Sequence, residues 1–129
     1  MPEPNKIVPP HPMSDRITAE YLRLVCDDPG IGNGSHRYKV IADDPAYNGE
    51  RVLLDIQFQH GAIAEVGLNG VLTGTIIQIL IHHLRGFQTG QFPSRETAIV
   101  ITKLEEALQW TKQRELERAQ RGVLGTATK

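Results

Sequence analysis

A single cysteine and a single tryptophan stand among 129 residues, and only 5% of the chain is aromatic. Cys26 alone excludes a disulfide framework and a cysteine-built zinc finger, and it fits a reducing compartment. Charge of one sign is lacking too. Fourteen Lys and Arg against fifteen Asp and Glu leave a formal charge of -1, without the basic footprint of a general nucleic-acid binder. No long apolar run is present: the stretch from Ile76 to Leu84 is broken by Gln78, His82 and His83 and is too short for a bilayer. The start, "MPEPNKIVPPHPMSD", lacks the basic-then-apolar layout of a signal peptide. The expectation is a soluble cytoplasmic protein with no membrane partner and no nucleic-acid polymer as ligand.

Chemical machinery is also scarce. His82 and His83 are adjacent, so on a helix they point about 100° apart and cannot grip one ion. No cysteine pair and no His-x-x-x-His spacing occurs, so no metal is expected. Cys26 lies beside Asp27 and Asp28, which disfavour a thiolate. "GVLTGT" has no lysine for a phosphate loop, no serine elbow appears, and Glu105-Glu106 diverge on a helix. No catalytic residue and no cofactor is expected.

Proline and glycine organise what remains. Five of the eight prolines fall within residues 1–15, read as a disordered or docked arm. Residues 16–129 are read as a single domain, β-rich over 16–70 and helical over 71–129. "ITAEYLRLVC" can be read as a strand or a short helix, and the alternation of Leu22, Leu24 and Cys26 favours the strand. "DDPGIGNGS" is a turn, and "HRYKVIA" a half-buried strand. After a turn at Asn48-Gly49 comes "RVLLDIQFQ", with Val52, Leu54, Ile56 and Phe58 on one face and Leu53, Asp55 and Gln57 on the other. Gln59-His60-Gly61 is expected to close a hairpin into a strand, "AIAEVGLNG", ending at Asn69-Gly70.

From Thr73 the period becomes helical. Ile77, Leu80, Ile81 and Leu84 form a stripe widened by Ile76 and Ile79, and Gly86 is the expected end. Ser94 is a natural N-cap, with Glu96 in the first turn. The second helix is expected over Arg95–Gln120, with Ala98, Ile101, Leu104, Leu108 and Leu116 inward. The fold class is α+β, a small antiparallel sheet followed by a long C-terminal helical hairpin. The first helix is apolar over more than half its circumference, so the hairpin is expected to meet another copy in a homo-oligomer.

Binding chemistry is what the residues do offer. Trp110, Arg114, Arg118 and Arg121 recur at helical spacing along one face, an aromatic plane with a guanidinium ladder suited to bases and phosphates. A solvated face offset by Glu115 and Glu117 is the open alternative. Gly122, Val123, Gly125 and Thr126 offer backbone N–H groups and a hydroxyl to an anion, or simply end the helix. Phe87 and Arg95 could hold a base and a phosphate, or Phe87 could merely plug the hairpin.

"FQHGAIAEVGLNGV", "LRGFQTGQFPSRETAIVITKLEEALQW" and "RGVLGT", in that order, resemble phage proteins that share a helical hairpin, the anti-CBASS and Thoeris anti-defense sponges. The sheet-bearing Thoeris type is the nearer, and the resemblance covers roughly residues 27–126. It implies a non-enzymatic phage protein acting in the infected host's cytoplasm. Such a protein sequesters cyclic nucleotide second messengers: glycocyclic ADP-ribose of Thoeris and cyclic trinucleotides of CBASS. By motif, Phe87, Arg95 and Thr97 belong to the ADP-ribose pocket between two protomers, with Thr97 standing where many relatives have asparagine. Arg114, Arg118, Arg121, Gly122, Val123, Gly125 and Thr126 belong to a trinucleotide site where three protomers of a hexamer meet. A homo-oligomeric phage interaction factor without a nucleotide ligand remains the alternative.

Overall fold

The computed structural model describes residues 6–26, 36–44, 46 and 49–129. The turn "DDPGIGNGS", Asn48 and the first five residues of the arm lie outside the described residues. The chain divides into two compact units, 1–60 and 61–129.

The first unit is a four-stranded antiparallel sheet in the order β1-β2-β3-β4, with β1 at Lys6–Val8, β2 at Leu22–Cys26, β3 at Arg37–Asp44 and β4 at Gly49–Gln57. Within the proline-rich segment, β1 pairs with β2 (Ile7 opposite Val25). The strand expected over "ITAEYLRLVC" is corrected in its first half. Arg16–Tyr21 forms a helix, α1, and the strand begins at Leu22. The cause is local: Asp15 caps the turn by accepting from the Thr18 N–H at 2.8 Å and the Thr18 hydroxyl at 2.7 Å. The same bonds, the backbone one foremost, hold the Asp15 carboxyl below its ordinary pKa. The alternating residues Leu22, Leu24 and Cys26 all lie in β2, and the cap claims only the segment before them.

A second correction concerns β4. Val40 lies opposite Leu54, but Ile41 lies opposite Val52, so Leu53 is an extra, bulged residue. Directly opposed residues share a face. Val52 therefore joins Ile41 and Asp55, while Leu54 and Ile56 join Val40 and Tyr38. The single face read for Val52, Leu54 and Ile56 is split. Ion pairs mark the Val52 face, with Arg23 reaching Glu50 at 2.8 Å and Arg37 reaching Asp55 at 3.0 Å. The Arg37 hydrogen bond keeps the Asp55 carboxyl below its usual pKa. Among the described residues, Val25, Cys26 and Ile41 are the buried apolar ones of this unit.

In the second unit the expected strand over "AIAEVGLNG" is a single helical turn, α2, at Ile63–Val66. Ala62 O accepts from the N–H groups of Glu65 and Val66, both at 2.9 Å. Gly61, at φ +91°, precedes the turn; a Cβ there would stand 3.1 Å from Val66 Cγ2. Two of the four apolar positions are alanines, which favour helix over strand, so alternation was weak support for a sheet.

The hairpin follows as α3, Thr73–Thr89, and α4, Arg95–Gln120. The α4 limits agree with the sequence reading, and Ser94 Oγ accepts from the Thr97 N–H at 3.0 Å. α3 does not stop at Gly86 but runs one turn on to Gly90. A Cβ at Gly90 would lie 3.0 Å from the Gly86 carbonyl, which is why glycine stands there. Ile81 and Ile101 are buried between the helices, each contributing about 1.5–3 kcal/mol of transfer free energy. Arg85 reaches Glu105 across the hairpin at 2.7 Å. Leu104 and Leu108 are half-buried, whereas Ala98, Ile79, Leu80, Ile99, Val100 and Leu116 are exposed.

Candidate functional site

At one end of the hairpin the short connection sets the α3 C-terminus beside the α4 N-terminus. Gln88 Oε1 accepts from the Ser94 N–H at 2.8 Å, which fastens the turn carrying Phe87 to the helix start carrying Arg95. Phe87 is 43% exposed, its ring edge-on to His83 with centroids 5.1 Å apart. Thr97 faces the cap: Ser94 Oγ donates to Thr97 Oγ1 at 2.8 Å. Its hydroxyl is thus already engaged. Among the described residues the Arg95 guanidinium and the N–H groups of Arg95 and Glu96 have no acceptor. Free donors, a helix N-terminus and an exposed ring make a surface that suits an anion joined to a base.

The opposite end lies about 39 Å along α4, at about 1.5 Å per residue. Here the ladder read from spacing comes apart. Trp110 is 74% exposed, and Arg114 is exposed without a partner among the described residues. Arg118, by contrast, is buried at 9% exposure. Its Nη2 donates to the carbonyls of Val123 (3.0 Å), Thr126 (3.1 Å) and Thr128 (2.7 Å). Arg121 bonds Glu117 and the Lys129 carbonyl. Two guanidiniums of the ladder are turned onto the chain's own tail.

The tail is a defined structure. Gly122 takes φ +73°, and its N–H donates to Ala119 O at 3.1 Å while the Val123 N–H donates to Arg118 O at 3.0 Å. This pair of bonds closes the helix through a left-handed glycine. Gly125, at φ +77°, lets the chain turn again, and its carbonyl accepts from the Ala64 N–H at 2.7 Å. Thr126 Oγ1 donates to Val123 O at 2.6 Å and accepts from the Thr128 N–H at 3.2 Å. The N–H groups of Gly122, Val123, Thr126 and Thr128 are therefore committed internally. Among the described residues those of Leu124 and Gly125 carry no acceptor, so the donors left for an anion are fewer than the glycine spacing suggests.

Gln88 and Ala64 were not singled out from the sequence, yet each fixes one end of the hairpin. A glutamine in a turn and an alanine amide carry no signal of their own. Among the described residues no three His, Cys, Asp or Glu side chains gather as a metal would need, and no helix is long and apolar enough to cross a membrane. The first unit holds a groove of about 360 Å³ lined by Ile7, Pro10, His11, Met13 and Leu22; none of the predicted site residues lines it.

Residues 50–114 match the family model of the Acb2/Tad1 hairpin domain. That stretch includes Phe87, Arg95, Thr97 and Arg114 and stops short of the tail. Over 98 residues the chain is 44% identical to Thoeris anti-defense 1 of Bacillus phage SBSphiJ7. The aligned segment covers 76% of this chain and 66% of that relative, just under two thirds of the relative's length. With half its residues on the hairpin model, the chain belongs to the Acb2/Tad1 hairpin family.

Proposed function

We propose that this protein is a phage anti-defense sponge, a homo-oligomer that binds immune cyclic nucleotide signals in the host cytoplasm and holds them without turnover. One observation carries the reading. Each end of the hairpin carries an arginine without a partner among the described residues and an exposed aromatic ring, Arg95 and Phe87 at one, Arg114 and Trp110 at the other. A guanidinium for phosphate and a ring for a base are what a nucleotide requires. The Phe87 end would take the ADP-ribose signal and the Arg114 end, with the tail, a cyclic trinucleotide. Exposed Ile79, Leu80, Ile99 and Val100 on the hairpin supply surface for assembly up to a hexamer.

The test is capture and release. Protein incubated with glycocyclic ADP-ribose or a cyclic trinucleotide, freed of excess signal and then heat-denatured, should return the nucleotide intact. Degraded nucleotide would identify an enzyme. The same exposed apolar residues favour a second reading, a phage interaction factor that uses the hairpin only to assemble. Failure of both nucleotides to bind in calorimetric titration would select it.

A further inference from the structure

We propose that the stacked imidazoles of His36 and His60 form an acid-sensitive latch, which fastens the last residues of the first unit to β3 and releases them when both rings carry a proton. The inference is independent of the sponge reading. The two rings lie face to face, with centroids 4.1 Å apart and planes 5° from parallel. Beside them the segment after β4 is stitched to the start of β3. The Phe58 N–H donates to the His36 carbonyl at 2.6 Å, and the Phe58 ring stands edge-on to Tyr38 with centroids 5.9 Å apart. His60 is the last residue of the first unit. Gly61, at φ +91°, follows and opens the turn into α2. Release of residues 58–60 would therefore free the chain that leads into this glycine.

A face-to-face stack suits two neutral rings, or one neutral ring and one cation. It does not suit two cations held at the ring separation, least of all where one ring is half-buried and the other exposed, as His36 and His60 are. Neighbouring charge decides whether the second proton is tolerated. Register puts Tyr38, Val40 and Ala42 on one face with Leu54 and Ile56, joined on β2 by Leu22, Leu24 and Cys26. His36, two residues before Tyr38, shares that face, and His60 lies over it. The titratable neighbours there are Tyr38 and Cys26. The charged one is Arg51, opposite Ala42 at the far end of the sheet, and it is a cation. On the other face Asp55 is bonded by Arg37 at 3.0 Å and lies opposite Lys39, while Asp43 and Glu50 are bonded by Arg23. α1, packed on β2, carries Arg16 and Glu20 bonded to each other at 3.0 Å and Asp15 engaged by Thr18. Among the described residues of these elements no uncommitted carboxylate stands ready to balance a second imidazolium. The stack holds with one proton or none, and parts with two.

The experiment follows amide hydrogen exchange in the full-length chain from about pH 7.5 to about pH 5, the range in which histidines ordinarily charge. Each rate is corrected for the pH dependence of exchange itself. In wild type the Phe58 amide should lose protection at least about tenfold on acidification, while amides within β2 and β3 keep theirs. His60→Phe and His36→Phe each keep a planar ring in the stack but cannot gain a charge there. Both should hold Phe58 protection constant over the same range, and having two such variants guards against one that fails to fold. His60→Ala removes the stack and should leave the Phe58 amide poorly protected at both ends of the range. Wild-type protection that stayed constant on acidification would overturn the latch. An equal loss in a folded phenylalanine variant would overturn it as well, by placing the cause in another titrating group. Loss shared by the amides of β2 and β3 would be acid unfolding of the whole sheet, and would refute a local device.

Discussion

Gly86 and Gly122 invite the same substitution and should answer it with opposite signs. At both positions an added Cβ meets nothing within 4 Å, so neither response can be a clash. Gly122 sits at φ +73°, where an L side chain costs about 1–2 kcal/mol through its contact with the following carbonyl. Reduced freedom of the unfolded chain returns about 0.4–1 kcal/mol, leaving Gly122→Ala destabilising by about 1 kcal/mol. Gly86 lies inside α3, where glycine is about 0.8–1.0 kcal/mol worse than alanine. Gly86→Ala should therefore stabilise by nearly that amount. The pair should differ by about 2 kcal/mol, most of it traceable to one backbone angle. Urea unfolding followed by far-ultraviolet circular dichroism, at one protein concentration because assembly shifts midpoints, measures both. Gly122→Asn should lose less than Gly122→Ala, since asparagine tolerates the left-handed region. A neutral Gly122→Ala would refute the left-handed cap. A Gly86→Ala that lost stability would mean that the bare backbone there is needed by something packed against it.

Ser94→Ala removes the acceptor of the Thr97 N–H and should cost about 1 kcal/mol, readable in the same unfolding curves. Phe87→Ala should weaken the ADP-ribose signal by about 1–3 kcal/mol, the worth of one stacked base, without touching trinucleotide affinity in parallel titrations. Thr97→Asn should strengthen that binding or leave it unchanged, and loss of binding with an intact fold would displace Thr97 from the pocket. The Asp55 carboxyl titrates below its unfolded value because of Arg37, so its contribution is present above about pH 4 and is lost as pH falls through the lowered folded value. Asp55→Asn should accordingly blunt the acid limb of a stability-versus-pH curve and leave the neutral-to-basic part parallel to wild type.

α4 was legible because several independent signals coincide: a serine cap, a long helical period and a glycine past its end. β3 and β4 were legible from alternation, but the bulge was not. A single extra residue leaves no mark in a sequence whose neighbours, Val52, Leu53 and Leu54, are all aliphatic. α2 was misread because alternation among alanines says little when flanking glycines set the local path. For the site, the helix-to-helix connection read over "RGFQTGQFPS" made it foreseeable that Phe87 and Arg95 would lie at one end. The fate of Arg118 was not foreseeable. Helical spacing gives the direction of a side chain, not the competitor that captures it, and here the competitor is the segment after the helix, folded back by its own glycines.

The bulge at Leu53 makes β4 a strand with two phases. Residues 54–57 follow one parity of inward and outward positions, and residues 49–52 the other. Deletion of Leu53 would make Val52 and Leu54 consecutive, join the two phases into one unbroken alternation and leave Glu50 on the face of Arg23, which it reaches at 2.8 Å. For the pairing of β4, deletion at this point is a small event: it removes the bulge and keeps the partners on both sides. What the extra residue contributes is the local bend and twist of β4, not the faces its neighbours take.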